Sequence, residues 1–200
     1  MKFAYLHGFA SSPGSRKATV FRERLSTHGI DLTIPALDGG DFAHLTISGQ
    51  LEIIEGTLRN EPAHIIGSSM GAYLAALYAS RHPETGRLVL MAPAFGFAER
   101  WSAKLPRGED IEVFHYGEKR TRRVHYGLIE DSLQYPAMPE FAQPALIFHG
   151  KADDVVPIGY SRAFVRTHPN AQLVEMESDH ELLNVLDPIT SAAADFLLAH

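Results

Sequence analysis

The feature that most constrains this chain is the pentapeptide 67–71, Gly-Ser-Ser-Met-Gly, in which Ser69 stands between two glycines. An apolar run, 63–66, precedes it, and a run rich in helix-forming residues, 72–79, follows it. A serine at a sharp turn between a strand and a helix holds its hydroxyl exposed in a strained backbone, and the flanking glycines leave room for the turn. The pattern predicts strand, turn and helix in that order, with Ser69 as a nucleophile. The alternative is that Ser68 or Ser69 only caps a helix.

Composition predicts one globular domain over residues 1–200, with 45% apolar and 21% charged residues. A formal net charge of -6 gives no general attraction to nucleic acid or to an anionic membrane, so neither is expected as a partner. The absence of cysteine excludes disulfides, thiol nucleophiles and thiolate metal sites, and it fits a reducing compartment. With a predicted strand at the very start and no run near 18 apolar residues, we expect no signal peptide, no membrane span and a cytoplasmic location.

Strands and helices are predicted to alternate along the chain. Short apolar runs predict six strands, at 3–6, 32–35, 63–67, 87–91, 145–149 and 172–176. Longer amphipathic runs predict helices at 15–28, 46–60, 70–81, 158–167 and 188–199, the last capped by Asp187. This alternation predicts an α/β fold with a mostly parallel sheet of about six strands, helices on both faces, and ligands bound beyond the carboxyl ends of the strands.

One segment, 94–142, is too long for a simple connection and is predicted to be a cap or lid insertion in the single domain. Two runs of alternating residues, 111–116 and 121–126, flank the four residues 117–120. That pattern is typical of a β-hairpin with a four-residue loop. The cap is therefore predicted to contain a hairpin.

A serine hydroxyl needs a histidine to accept its proton and a carboxylate to orient that histidine. Asp153 follows the predicted strand 145–149 and His180 follows 172–176, so both are placed at the carboxyl edge of the sheet. The chain order Ser69, Asp153, His180 is that of the α/β-hydrolase triad. The remaining candidates for the acid are Asp154, Asp179 and Glu177.

The oxyanion of an acyl-transfer intermediate needs backbone N–H donors. The residue after the nucleophile, Met70, supplies one, and Phe9, after His7 and Gly8, is predicted to supply the other. Gly8 lets the backbone approach the substrate closely. His7 is predicted to be structural, through hydrogen bonds to nearby loops, rather than a second base.

Residues 5–15 (Tyr-Leu-His-Gly-Phe-Ala-Ser-Ser-Pro-Gly-Ser), the 67–71 pentapeptide and the segments around Asp153 and His180 together resemble the YqiA-type small bacterial esterases of the α/β-hydrolase superfamily. The resemblance spans nearly the whole chain, and the cap matches less well. It implies a compact α/β-hydrolase fold and hydrolysis of esters, with thioesters including acyl-CoA among the substrates. It also implies Ser69 as nucleophile, Asp153 as acid and His180 as base.

Aromatic residues are predicted to line an acyl pocket: Phe95, Phe97 and Trp101 in the cap, with Phe9 and Tyr73. The basic cluster, defined as Lys119, Arg120, Arg122 and Arg123, is either a binding site for an anionic part of the substrate or a solvated hairpin tip. No metal is expected, because H-E-x-x-H and cysteine are absent and opposing hairpin strands account for His115 and His125. No cofactor is expected either.

These features predict a serine carboxylic-ester hydrolase that acts on small or medium acyl groups, and on thioesters, through an acyl-enzyme. Two alternatives share the fold. An acyltransferase would use the same triad with an alcohol or thiol in place of water. A non-catalytic protein would use the pocket only to hold a small ligand.

Overall fold

The computed structural model describes residues 1–59 and 61–199, and eight β-strands lie among them. The strands are β1 (Lys2–Leu6), β2 (Leu32–Thr33), β3 (Ala63–Ser68), β4 (Leu88–Met91), β5 (Ile111–His115), β6 (Arg120–Val124), β7 (Ala145–Gly150) and β8 (Ala171–Met176). Six of them form one sheet in the order β2-β1-β3-β4-β7-β8, and every pairing in it is parallel. The predicted parallel six-stranded sheet is confirmed.

Seven α-helices connect or follow these strands. They are α1 (Arg16–Ser26), α2 (Ile47–Leu58), α3 (Met70–Arg81), α4 (Phe97–Ser102), α5 (Gly127–Ser132), α6 (Gly159–Thr167) and α7 (Leu186–Leu198). Helices α1 and α7 pack on one face of the sheet, and α2, α3 and α6 pack on the other. The sheet is thus covered on both faces, as the alternation of strands and helices predicts.

The central strands are apolar on both sides, because each face of the sheet meets a layer of helices. In β4, Leu88 and Leu90 enter the core beneath α2 and α3, whereas Val89 and Met91 enter the core beneath α1 and α7. Alternate residues of a strand point to opposite faces, so an uninterrupted apolar run is what a doubly covered strand requires. These layers hold the carboxyl ends of the strands in place.

Helix α1 shows how local sequence sets an element. The Ser15 side chain accepts a hydrogen bond from the Ala18 N–H at 3.3 Å and so caps the first turn. Ala18, Phe21 and Leu25 recur at helical spacing and are all buried. The amphipathic helix predicted at 15–28 is confirmed, with bounds Arg16–Ser26.

Most predicted boundaries differ from the structure by one or two residues, and three of the differences bear on the predictions. Strand β2 ends at Thr33 rather than at Pro35, since proline has no N–H to donate to a neighbouring strand. Helix α7 begins at Leu186, so Asp187 lies inside its first turn and Val185 takes the capping position. Helix α2 ends at Leu58, and the last residue of its predicted span, Asn60, lies outside the described residues.

The hairpin prediction is confirmed, with its turn one residue earlier than expected. Strands β5 and β6 pair antiparallel, with Ile111 opposite Val124 and His115 opposite Arg120. Tyr116 leaves the ladder because its N–H donates to the Ala10 carbonyl at 2.8 Å. The turn of the hairpin therefore contacts the loop that follows β1.

The chain order places a topological switch between β1 and β3, since β2 lies on one side of β1 and the later strands lie beyond β3. Ligands of parallel α/β sheets bind where the strand order reverses in this way. The 67–71 turn follows β3, and Gly8 follows β1, so both lie at this switch. None of the described helices is long and apolar enough to cross a membrane.

Candidate active site

Ser69 occupies a strained turn between the end of β3 and the start of α3. Its backbone has φ 53° and ψ -114°, a conformation that costs a non-glycine residue free energy. The Ser69 N–H donates to the Met91 carbonyl at 2.8 Å, which ties the turn to β4. A Cβ on Gly67 would lie 2.5 Å from the Ala72 Cα, so the turn has no room for a side chain there. The predicted strand, turn and helix are present.

The structure brings Ser69, Asp153 and His180 together from three different strand ends. The His180 Nε2 lies 3.1 Å from the Ser69 Oγ, and the His180 Nδ1 lies 2.8 Å from the Asp153 Oδ2. With Nδ1 donating to the carboxylate, Nε2 is left to accept the serine proton. The arrangement has the geometry of a nucleophile, a base and an orienting acid.

The other acids considered for this site are engaged elsewhere. Asp179 accepts hydrogen bonds from the backbone N–H groups of Glu181 and Leu182 at 3.0 and 3.3 Å. Glu177 pairs with Lys151, and the Asp154 residue is exposed. Asp153 is the acid that reaches His180.

Asp153 is held as a carboxylate by its hydrogen bonds. Burial by itself raises the pKa of Asp153, but hydrogen bonds from His149, His180 and the Val156 N–H outweigh it and hold that pKa well below its usual range. The side chain is fully buried, and its Oδ1 accepts the N–H groups of Val155 and Val156 at 2.9 and 2.7 Å. The carboxyl therefore stays ionised at any pH near neutrality.

Two backbone N–H groups lie near Ser69, one in the turn after β1 and one at the start of α3. A Cβ on Gly8 would lie 3.4 Å from the Ser69 Cβ, so the turn after β1 approaches the serine closely. Within the described part of the chain, the N–H groups of Phe9 and Met70 donate to no protein acceptor. The Met70 N–H opens the first turn of α3, where helix geometry leaves donors free. Both groups are available to a ligand, and their role as oxyanion donors stays a prediction.

His7 links this turn to a neighbouring loop. Its Nε2 accepts the Leu37 N–H at 3.3 Å, which leaves Nδ1 to donate to the Gly8 carbonyl at 3.0 Å. Burial lowers the pKa of His7, which favours this neutral form. The contacts agree with the structural role predicted for this histidine.

A cavity of about 620 Å³ opens beside the serine, with Ser69 and His180 in its wall. Phe9, Phe97 and Trp101 form an aromatic wall, in which the Trp101 ring centroid lies 5.5 Å from that of Phe9 and 5.0 Å from that of Phe97. The volume lies in the range of small-molecule sites. The cavity can hold an acyl group next to the hydroxyl.

Two aromatic residues predicted for this wall belong to the core instead. Phe95 is fully buried, and its ring centroid lies 4.9 Å from that of Phe164. Tyr73 lies on α3 and donates its hydroxyl proton to the Pro136 carbonyl at 2.9 Å. Neither Phe95 nor Tyr73 is among the residues that line the described cavity, and composition does not distinguish an aromatic wall from an aromatic core.

The cations at the cavity differ from those of the predicted basic cluster. Arg120 and Arg122 both pair with Glu118, and Arg123 pairs with Glu112 at 3.1 Å. Of that cluster, only Lys119 lines the cavity among the residues described. Three further cations line it: Arg16, Lys17 and Arg100. For the three paired arginines, the solvated hairpin tip is the better interpretation.

The polar lining is strongly cationic for a chain with a net charge of -6. Against four cations, the cavity wall holds one carboxylate residue, Glu181. Burial lowers the pKa of Lys17, although the nearby carboxylates of Glu181, Asp179 and Asp153 counter it. The positive charge is thus concentrated where a substrate would lie.

A model of the uncharacterised protein family UPF0227 matches residues 2–197. The chain belongs to this family. A search of the curated proteins gave no match.

Solved structures that resemble this chain show which fold it adopts. Est1E from Butyrivibrio proteoclasticus is 20% identical, with a TM-score of 0.82 over 98% of this chain and 86% of that one. Mouse alpha/beta hydrolase domain-containing protein 10 is 20% identical, with a TM-score of 0.80 over 98% and 88%. A monoacylglycerol lipase from Paleococcus ferrophilus is 16% identical, with a TM-score of 0.79 over 99% and 94%. This UPF0227 chain has the α/β-hydrolase fold.

The sequence did not reveal two groups of site residues in this UPF0227 chain. Phe114, Tyr116 and Val155 form an exposed apolar rim around the mouth of the cavity. Arg16 and Lys17 reach the cavity because α1 starts directly after the loop that follows β1. A pair of basic residues beside a glycine- and serine-rich loop was the available signal.

No group of three or more histidines, aspartates or glutamates within residues 1–59 and 61–199 is arranged to hold a metal ion.

Proposed function

We propose that this protein is a serine carboxylic-ester hydrolase that works through an acyl-enzyme. The observation that carries the proposal is the continuous chain of hydrogen-bond contacts from Ser69 Oγ to His180 Nε2 and from His180 Nδ1 to Asp153, at 3.1 and 2.8 Å. The fold shared with an enzyme named as a monoacylglycerol lipase agrees with it. Cytoplasmic location and the cap role of residues 94–142 are part of the same proposal.

In the first half of the reaction, the Ser69 Oγ attacks the carbonyl carbon while its proton passes to the His180 Nε2. The oxyanion accepts hydrogen bonds from the N–H groups of Phe9 and Met70. When the tetrahedral intermediate collapses, the C–O bond to the leaving alcohol breaks and the alcohol takes the proton from His180. The acyl group then remains on Ser69.

In the second half, water attacks the acyl-enzyme and gives a proton to His180. The intermediate collapses, the serine oxygen leaves with that proton, and the free carboxylic acid departs. Throughout, the ionised Asp153 stabilises the positive charge that His180 carries between proton transfers. The aromatic wall of Phe9, Phe97 and Trp101 holds the acyl group.

The test is hydrolysis of p-nitrophenyl esters of increasing acyl length, together with labelling by a fluorophosphonate probe. Ser69→Ala should lose both turnover and labelling, because the nucleophile is gone. Ser68→Ala is the matched control, since it removes the neighbouring hydroxyl and should still be labelled. A folded wild type that neither labels nor turns over would favour the non-catalytic ligand-binding alternative. Product analysis with added alcohols or thiols separates hydrolysis from acyl transfer.

We also propose that the preferred ester carries an anionic group, with acyl-CoA thioesters among the candidates. The support is the lining of Arg16, Lys17, Arg100 and Lys119 against one carboxylate. Lys119→Met should raise KM for butyryl-CoA several-fold and leave KM for p-nitrophenyl butyrate nearly unchanged. Arg120→Met is the matched control, because Arg120 pairs with Glu118. Equal effects on the neutral and the anionic ester would contradict the proposal.

A further inference from the structure

A second histidine contacts the acid of the site. His149 is the fifth residue of β7 and is fully buried. Its Nε2 lies 3.1 Å from the Asp153 Oδ2, the same oxygen that contacts the His180 Nδ1 at 2.8 Å. The mechanism above does not use this imidazole.

The surroundings of His149 fix where its proton lies. Its Nε2 faces two acceptors, the Asp153 carboxylate and the Val156 carbonyl at 2.9 Å, so Nε2 must carry a proton. Its Nδ1 lies 2.8 Å from the Ser161 Oγ on α6, and this hydroxyl can donate to it. The neutral imidazole with its proton on Nε2 donates to the Val156 carbonyl and holds that N–H close to the Asp153 Oδ2, while Nδ1 accepts from Ser161.

With His149 counted, four donors surround the Asp153 carboxylate. Two imidazoles share Oδ2, and the N–H groups of Val155 and Val156 share Oδ1. A carboxylate with all these hydrogen bonds cannot rotate without losing several of them. Each donor also draws charge from the oxygens, which weakens the attraction of the carboxylate for a further proton.

We propose that His149, oriented by Ser161, is a positioning residue that fixes the Asp153 carboxylate toward His180 and limits how strongly that carboxylate favours the protonated base. The inference rests on the proposed function, in which Asp153 orients His180. Without His149, the carboxylate keeps more of its charge for His180, so His180 becomes protonated at a higher pH. The active, neutral base then forms over a narrower pH range.

Other charged groups near the pair stay unchanged when His149 is replaced. Lys17 and Arg100 interact electrostatically with Asp153, and Asp179 interacts with Lys17. On β8, Glu175 lies opposite His149 in the sheet and pairs with Arg162 of α6. A change in the titration of His180 can therefore be assigned to the lost hydrogen bond.

The experiment follows the ring protons of His180 by proton NMR across pH, together with the acidic limb of kcat/KM for p-nitrophenyl butyrate. The variants are His149→Phe, which keeps the ring volume without a donor, and His149→Gln, which keeps an N–H donor. His168→Phe is the matched control, because His168 is also buried but contacts Glu140 and the Phe164 carbonyl instead. The NMR titration needs no turnover, so it tests the inference even where the proposed ester hydrolysis fails.

For His149→Phe we expect the midpoint of the His180 NMR titration and that of the acidic limb of kcat/KM both to rise by about half a pH unit. We also expect kcat to fall about tenfold while KM stays within about twofold of the wild-type value. His149→Gln should restore the midpoints toward those of the wild type, and His168→Phe should leave them unchanged. Midpoints that stay in place in His149→Phe would overturn the inference, because a purely structural role only lowers the folded fraction. Where His149→Phe does not fold, Ser161→Ala gives the same test, with a smaller rise expected and no rise contradicting the inference.

Discussion

Gly71 lies so close to Leu6 that a Cβ on this glycine would overlap the Leu6 carbonyl oxygen. The first turn of α3 is thereby pressed against the end of β1. This contact brings the Met70 N–H, at the start of α3, next to the loop that carries the Phe9 N–H.

The first prediction is that Gly71→Ala lowers the free energy of unfolding by about 3 kcal/mol or more and abolishes fluorophosphonate labelling. The added methyl group has only backbone to displace, so α3 must move away from β1. Chemical denaturation and labelling measure the two effects. Gly56→Ala is the matched control: this exposed glycine of α2 has open space around it, and alanine there should raise stability by about 0.5–1 kcal/mol. A Gly71→Ala protein as stable as the wild type would contradict the described packing.

The second prediction concerns Asp153→Asn, which keeps the shape of the side chain and removes its charge. An asparagine cannot accept from His149, His180 and two backbone N–H groups while keeping its own amide protons away from them. We expect kcat to fall at least about 100-fold, because His180 is neither oriented nor stabilised once protonated. Steady-state kinetics with p-nitrophenyl butyrate measures this loss. Activity within about twofold of the wild type would show that another acid serves His180.

The third prediction links Asp153 to the pH dependence of stability. The pKa of Asp153 is lower in the folded protein than in the unfolded chain. Its contribution to the free energy of unfolding is therefore present above the unfolded pKa of about 3.9 and is lost as the pH falls through the folded pKa. Below about pH 4, the wild type should therefore lose up to about 1.4 kcal/mol per pH unit more than Asp153→Asn does. Urea denaturation at a series of pH values measures the two slopes. Asp154→Asn, at the exposed neighbouring position, should keep the wild-type slope, and equal slopes in all three proteins would contradict the depressed pKa.

The fourth prediction separates the cavity wall from the core. Trp101→Ala enlarges the cavity between Phe9 and Phe97, so kcat/KM should shift toward longer acyl chains. Phe95→Leu should lower stability by about 1 kcal/mol or more and leave the chain-length profile as in the wild type, because Phe95 packs on Phe164 outside the cavity. A series of p-nitrophenyl esters from acetate to decanoate gives both profiles. A chain-length profile altered only in Phe95→Leu would contradict this prediction and would show that Phe95, not Trp101, lines the acyl pocket.

The sequence predicted the parallel sheet because β4 is apolar throughout and β3 and β7 are mostly apolar, and it predicted α3 to the residue at both ends. The grouping of Ser69, Asp153 and His180 followed from the rule that the carboxyl ends of parallel strands meet at one edge. These features depend on local pattern and on topology, both of which are written in the order of residues along the chain.

The remaining features depend on the three-dimensional course of turns and strand ends, which the pattern of residue types does not show. Val185 takes the capping position of α7 because the 3₁₀ turn Leu183–Val185 leads directly into the helix, although Asp187 is the better capping residue by type. Glu118 binds Arg120 and Arg122 because the turn of the hairpin brings the three together, so charge density alone misplaced the cation site. From the sequence alone, His149 is only a residue of a predicted strand, and its contact with Asp153 is seen only in the structure.

The hydrogen bond from the Tyr116 N–H to the Ala10 carbonyl joins the hairpin to the loop that presents Phe9. Gly117 adds to the same junction, since a Cβ there would lie 2.7 Å from the Ser12 Cβ. The rim of the entrance and one of the two proposed oxyanion donors thus form a single mechanical unit. The hairpin cannot move outward to widen the entrance unless this hydrogen bond breaks or the loop that presents Phe9 moves with it.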